Sequence, residues 1–298
     1  MLKATPVYGI RLRDVKLLFE TRDELRAPSD VCVSEDGLIY VVDGVNHRIM
    51  IFDQGGKNVS SFGRKGHGQG EFVFPLGIDI DSSGRVYVAD SGNHRVQVFD
   101  PKGEFIREVK LPSQNDRAAD PTDVVVDDSR NRSYVVDNDN HCILVYDLST
   151  FKLIGTYGAA GTGELEFRHP FLMTLGRDKC LYIVDVINTR VQVLNPDGFF
   201  VTFIGGWGVE KGQFFRPKGV AIDRKNRVYV SDSYMGVIQV FSSTGEFLSV
   251  LGDSKKGSVM KFNTPCGIFI DTNYRLYVVE MFANKVSVYS IESGAGRN

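Results

Sequence analysis

The sequence predicts an all-β chain: a six-bladed β-propeller of four-stranded blades, closed by an N-terminal strand that completes blade six. Three observations predict it. One pattern recurs six times, marked by prolines at Pro28, Pro75, Pro121, Pro170, Pro217 and Pro265, at spacings of 47, 46, 49, 47 and 48 residues. Each period holds short runs of alternating apolar and polar residues broken by Gly, Asn, Asp and Pro, the signature of strands joined by tight turns. The last period stops after three runs, while a spare strand-like run, Val15–Glu20, stands ahead of the first.

The blades start near those six prolines, with residues 1–25 as closing strand and tail of a single domain spanning 1–298. A tyrosine follows each proline by 12 or 13 residues: Tyr40, Tyr87, Tyr134, Tyr182, Tyr229 and Tyr277. Three residues later comes an acid (Asp43, Asp90, Asp137, Asp185, Asp232, Glu280), and nine further on a large apolar residue (Phe52, Phe99, Tyr146, Leu194, Phe241, Tyr289). In the second copy the strands are expected at 77–81, 85–90, 95–99 and 104–109. Four-stranded units at this period leave only short, protected sheet edges when arranged radially, hence a propeller. Two first-strand positions are apolar in every copy: Val31, Ile78, Val124, Met173, Val220, Ile268, and two residues later Val33, Ile80, Val126, Leu175, Ile222, Ile270. They share one strand face and are expected to pack between blades. Helical periodicity is nearly absent. Its one instance, Leu12–Leu25, competes with the closing strand.

With 35 basic against 37 acidic residues and a net charge of -2 in 298 residues, bulk charge gives no basis for holding nucleic acid or an anionic membrane. No run reaches the roughly 18 apolar residues a spanning helix needs, and no membrane insertion is expected. The first residues carry no apolar signal-peptide core. Cys32, Cys142, Cys180 and Cys266 lie far apart and read as reduced thiols, which leans toward a cytoplasmic setting without fixing the compartment. The free protein is expected to be a monomer.

The run from Pro75 to Phe99, with Gly77-Ile-Asp-Ile-Asp81, Val86-Tyr87-Val88-Ala89-Asp90 and Asn93-His94-Arg95-Val96-Gln97-Val98, resembles the NHL-repeat family. Asn46-His47-Arg48, Asn140-His141-Cys142 and the glycine-rich connectors ending at Phe72 and Phe214 carry the same likeness, which spans roughly residues 26–291. The resemblance implies a six-bladed propeller. It does not select an activity, because propellers of this kind serve as protein-binding platforms and RNA readers and, in relatives, as lyases.

Candidate sites follow from the loops. Turns between second and third strands and connectors between blades form the face on which propellers bind ligands. In blades two and three the turns are polar. In blades four to six they carry Val186, Ile187, Tyr234, Met235, Met281 and Phe282, with Phe171 and Trp207 in nearby connectors. A contiguous apolar patch marks a binding surface, and its aromatic and methionine content suits a protein partner. The expectation is therefore a non-catalytic platform docking a protein on blades four to six. One alternative is a channel-based lyase or hydrolase using Asp30, Asp79 and Asp123 at the channel mouth, although such acids more often cap backbone donors. A further alternative is weak binding of single-stranded RNA through a basic arc of Arg216, Lys218, Lys255, Lys256 and Lys261; the six connectors together carry only +2, so nucleic acid is not expected. His47, His94 and His141 occupy one repeat position on three blades and do not converge as zinc ligands, and His67 and His169 lack partners at metal spacing. No catalytic residue, metal or cofactor is assigned.

Overall fold

The computed structural model describes residues 9–21, 23–114 and 116–291, and over them the six repeats are six antiparallel blades. Blade two shows the common plan, with strands Pro75–Ile80, Val86–Asp90, Arg95–Phe99 and Phe105–Lys110. First strands of neighbouring blades pack on one another and so line the axis, while fourth strands form the rim. The recurrent proline opens the first strand in blades two to six, while in blade one the strand begins three residues after Pro28, at Val31. In blades two to six a bulge follows the proline, as between Pro75 and Gly77. Proline has no N–H to give the ladder, so the start of a strand is where it is tolerated.

The core lies between blades, not within them. Six buried clusters lie at the six seams between neighbouring blades, the one between blades six and one also taking in Leu172 of blade four; the one between blades one and two joins Tyr40, Val42 and Ile49 to Ile78, Val86 and Phe99. The apolar first-strand positions fall one pair to each cluster, as their periodicity of two required. The six tyrosines are fully buried. Their rings fill the seams, and four hydroxyls find acceptors at the first turn of the blade: Tyr87 on Asp81 at 2.9 Å, Tyr182 on Asp178 at 3.4 Å, Tyr229 on Asp223 at 3.2 Å and Tyr277 on Asp271 at 3.1 Å, while the Tyr134 hydroxyl has no partner among the described residues. Blade one has Ser34 in place of that acid, and Tyr40 donates to the Pro101 carbonyl of blade two instead, at 3.0 Å. Tyr87→Phe is expected to cost about 1 kcal/mol, since it removes one hydrogen bond to Asp81, whose carboxylate keeps Arg85, and leaves the packing intact. A thermal melt lowered by roughly 2–4 °C checks this, and an unchanged melt would show that the hydroxyl is dispensable.

Closure follows the predicted route. Lys16–Glu20 pairs antiparallel with Lys285–Ser290 and supplies the outer strand of blade six, one residue shorter than expected. Thr21 continues the clasp: its N–H donates to Val286 O at 2.9 Å, and its hydroxyl accepts from Val286 N at 3.0 Å. The described residues of Leu12–Leu25 form no helix. The sequence did not signal a second addition, Leu12–Asp14, which runs parallel to the rim strand Phe247–Asp253 of blade five. Val15 packs on the cluster between blades five and six and Phe19 on that between blades six and one, so one short segment buttresses two seams. Among the described residues no helix is long and apolar enough to cross a membrane. All four cysteines are free thiols.

Candidate functional site

The loop face is assembled by the same hydrogen bond in every blade. The turn after the second strand donates an N–H to the preceding connector: Val45 to Arg26 O, Gly92 to Val73 O, Asn138 to Asp120 O, Ile187 to Arg168 O, Ser233 to Arg216 O and Met281 to Thr264 O. The recurrent acids complete the joint. Buried Asp90 accepts from Val73 N at 2.8 Å, Asn93 Nδ2 at 2.8 Å and Arg95 Nε at 2.9 Å. Asp43, Asp137 and Asp185 likewise accept a connector N–H, and Glu280 accepts that of Asn263. The expected turn-holding role is thus correct in kind, but the partner is a connector 17 residues upstream, not the turn alone.

The histidines also have a structural explanation. His47, His94 and His141 close their turns at φ of 55°, 56° and 57°, the left-handed region, where blade five has Gly236 and blade six Asn284. Their Nδ1 atoms reach the next connector: Phe74 N at 3.0 Å, Ala119 O at 2.6 Å and His169 N at 3.2 Å. His67 and His169 each lie against an asparagine, Asn93 and Asn138.

Of the eight residues expected to bind a partner, four are strongly exposed: Ile187 at 51%, Trp207 at 76%, Tyr234 at 66% and Phe282 at 70%. Phe171, Val186, Met235 and Met281 are only partly so, and the first, second and last of these pack against inter-blade core. Sequence reasoning missed Phe215, which stacks on Tyr234 at 4.2 Å, and exposed Val209 and Phe74; exposed Val45, which the sequence places beside blade six, extends the apolar arc into blade one. Tyr234, Met281 and Phe282 come together in a groove of about 470 Å³ between blades five and six, with Cys266, Arg216 and Lys218. Phe171 reaches this groove through Lys218, whose Nζ stands 4.0 Å from the centre of its ring. Val186, Ile187, Trp207 and Met235 do not line it.

The basic arc is divided. Arg216 and Lys218 line the groove, and Lys261 spends its ammonium on Met235 O at 2.8 Å. Lys255 and Lys256 lie in the turn after the rim strand of blade five, beside Asp253, and Ser254 of that turn binds the Asp14 carboxylate.

On the axis, first strands of all six blades enclose a cavity of about 250 Å³ lined by Asp30, Asp79 and Asp123. Each acid belongs to one blade and accepts an N–H from the next. Asp30 takes Ile78 N at 3.1 Å, Asp79 takes Val126 N at 2.8 Å, and Asp123 takes Met173 N at 2.7 Å. Gly267 and Gly77 of the preceding blades leave the room: a Cβ on either would strike Asp30 or Asp123. Burial pushes Asp30 up to about 8 and Asp79 to about 7. Asp123 is raised by burial and then by the charge of Asp30. Among the described residues no Lys, Arg or His lines the cavity. The three acids are seam-forming groups inside the channel, and the backbone-capping role is the one the geometry shows.

A family model described as a 6-bladed beta-propeller matches residues 15–123 and 82–160. NHL repeat-containing protein 3 of Mus musculus is 38% identical over 103 residues, 33% of this chain and 30% of that protein. Protein brain tumor of Drosophila melanogaster is 26% identical over 135 residues, 45% of this chain and 12% of that protein, so the chain matches under a third of either relative. Among solved structures, a gluconolactonase from Xanthomonas campestris superposes with a TM-score of 0.70 at 16% identity, covering 96% of this chain and 93% of that one. At that identity the likeness concerns the fold.

Proposed function

We propose that this chain, an NHL-repeat six-bladed propeller, is a non-catalytic platform on which a partner protein docks across the loop face of blades four to six. The observation that carries the reading is the exposure of Ile187, Trp207, Tyr234 and Phe282 on loops that are otherwise pinned by backbone and carboxylate hydrogen bonds. Large aromatic side chains held in water on a rigid frame are costly to hydrate and lose little entropy on binding, which makes them natural anchors. The channel supports a lyase or hydrolase less well. Its acids are committed to the seam, and among the described residues the lining adds no Lys, Arg or His to work with them.

The double substitution Tyr234→Ala, Phe282→Ala tests the platform. Both side chains are exposed, so the melt is expected to stay within about 2 °C of wild type, while affinity for the partner falls by about a hundredfold. Paired pull-downs with wild type and variant, read by mass spectrometry, check it. Equal recovery of every wild-type-specific protein by the variant would refute the docking surface.

A further inference from the structure

We propose that the groove between blades five and six receives an aspartate or glutamate side chain of the docking segment, held by Lys218 and Arg216, with an adjoining aromatic or large aliphatic residue set against Tyr234 and Phe282. This rests on the platform reading above and adds the chemistry of the partner.

The groove brings together two cations and no carboxylate. Neither Arg216 nor Lys218 belongs to an ion pair among the described residues. For partly buried Lys218 that is unusual, because Arg48, Arg95 and Arg190 on the same face are paired with Asp43, Asp90 and Asp185; Arg216 is exposed at the groove's edge. Lys218 is half-buried on the first strand of blade five, and the ring of Phe171 covers one side of its ammonium. Burial lowers its pKa, and the neighbouring Arg216 charge adds to the effect. An arriving carboxylate reverses both penalties, since it supplies the missing opposite charge and accepts the ammonium hydrogens.

The walls select what accompanies the charge. Tyr234 stacks on Phe215 at 4.2 Å, which braces one face of its ring. Phe282 and Met281 face the same space. A groove of about 470 Å³ holds one or two side chains of an extended segment, which suits an acid next to an apolar residue. The charge pattern disfavours a nucleic-acid strand. A phosphate backbone needs a stripe of cations, whereas Lys261 is engaged by Met235 O and Lys255 and Lys256 stand with Asp253 in the turn beyond the rim of blade five.

The test uses a phage library of random dodecapeptides panned on the immobilised full-length protein. Enriched peptides are expected to share Asp or Glu beside Phe, Tyr, Trp, Leu or Met. Synthetic copies should bind about tenfold or more weakly to Lys218→Met, with binding restored by Lys218→Arg. An Asp→Asn or Glu→Gln change in the peptide should cost a similar factor, and a matched melt establishes that Lys218→Met is folded. Peptides that need Tyr234 and Phe282 but neither an acid nor Lys218 would overturn the carboxylate while leaving the platform standing. Enrichment indifferent to Tyr234 and Phe282 would overturn both. Steeply salt-dependent capture of a twelve-residue oligouridylate, lost in Lys218→Met, would overturn the peptide in favour of nucleic acid.

Discussion

Starting the chain at Thr21 is expected to lower the melting midpoint by roughly 6–10 °C and to make the protein self-associate. The removed segment supplies the rim strand of blade six through Lys16–Glu20 and an added strand to blade five through Leu12–Asp14. Its loss removes partial burial of Phe19 and Val15, worth about 1 kcal/mol each. It also removes ladder hydrogen bonds worth about 1 kcal/mol apiece, against the entropy of ordering the segment. A net loss of roughly 3 kcal/mol follows, in a ring whose first and last repeats are otherwise joined, among the described residues, by packing and single hydrogen bonds such as Gly267 N to Ser29 O and Thr21 N to Val286 O. The unpaired edge of Lys285–Ser290 then becomes a template for a second chain. Calorimetry and sedimentation velocity check the two halves of this prediction. A monomer with an unchanged melt would show that the seam between blades six and one closes without its clasp.

Much of this architecture was legible because repetition multiplies a weak local signal sixfold. One proline or one tyrosine says little, but six in phase fix the blade, the strand order within it and the faces of the first strand. The phase also exposed the missing fourth strand of blade six and so the closing segment. What escaped has the opposite character. Leu12–Asp14 joins blade five once, in parallel, with no periodic trace in the sequence. The partner of each recurrent acid lies 17 residues upstream on a connector of variable sequence, a relation that only folding creates. At the site, turn residues such as Tyr234 and Phe282 were visible because hydrophobic residues are out of place in a turn. Phe215 was overlooked as one of the phenylalanines that end connectors. Its neighbour Phe214 is that buried connector residue, while Phe215 faces outward on Tyr234. Lys218 entered as part of a basic arc. Its pairing with an aromatic ring and its lack of a counter-charge depend on blade geometry.

The channel acids give the second large effect, and its sign is set by burial. Asp30 and Asp123 are buried, Asp79 faces the cavity, and all three are raised above the ordinary aspartate value, Asp30 to about 8 and Asp79 to about 7. Folding therefore favours their protonated forms. The stability they contribute is fully present below the unfolded aspartate pKa near 4, and it is lost as pH rises through the folded values near 7 and 8. Asp30→Asn keeps an oxygen to accept Ile78 N–H but removes the charge, and with it the repulsion that raises Asp123. The variant should match or trail wild type at pH 5 and overtake it by pH 8.5. The swing is on the order of 3 kcal/mol, or roughly 6–10 °C in melting midpoint. The difference between the two melts is the measurement, because it cancels every other titrating group. A difference that stays flat from pH 5 to 8.5 would mean that these carboxylates are ionised in the folded ring without penalty. A difference that widens as predicted would identify them as acids retained for the hydrogen bonds that stitch blade to blade. Their charge would then be a cost of the seam, suppressed by proton uptake whenever the pH allows.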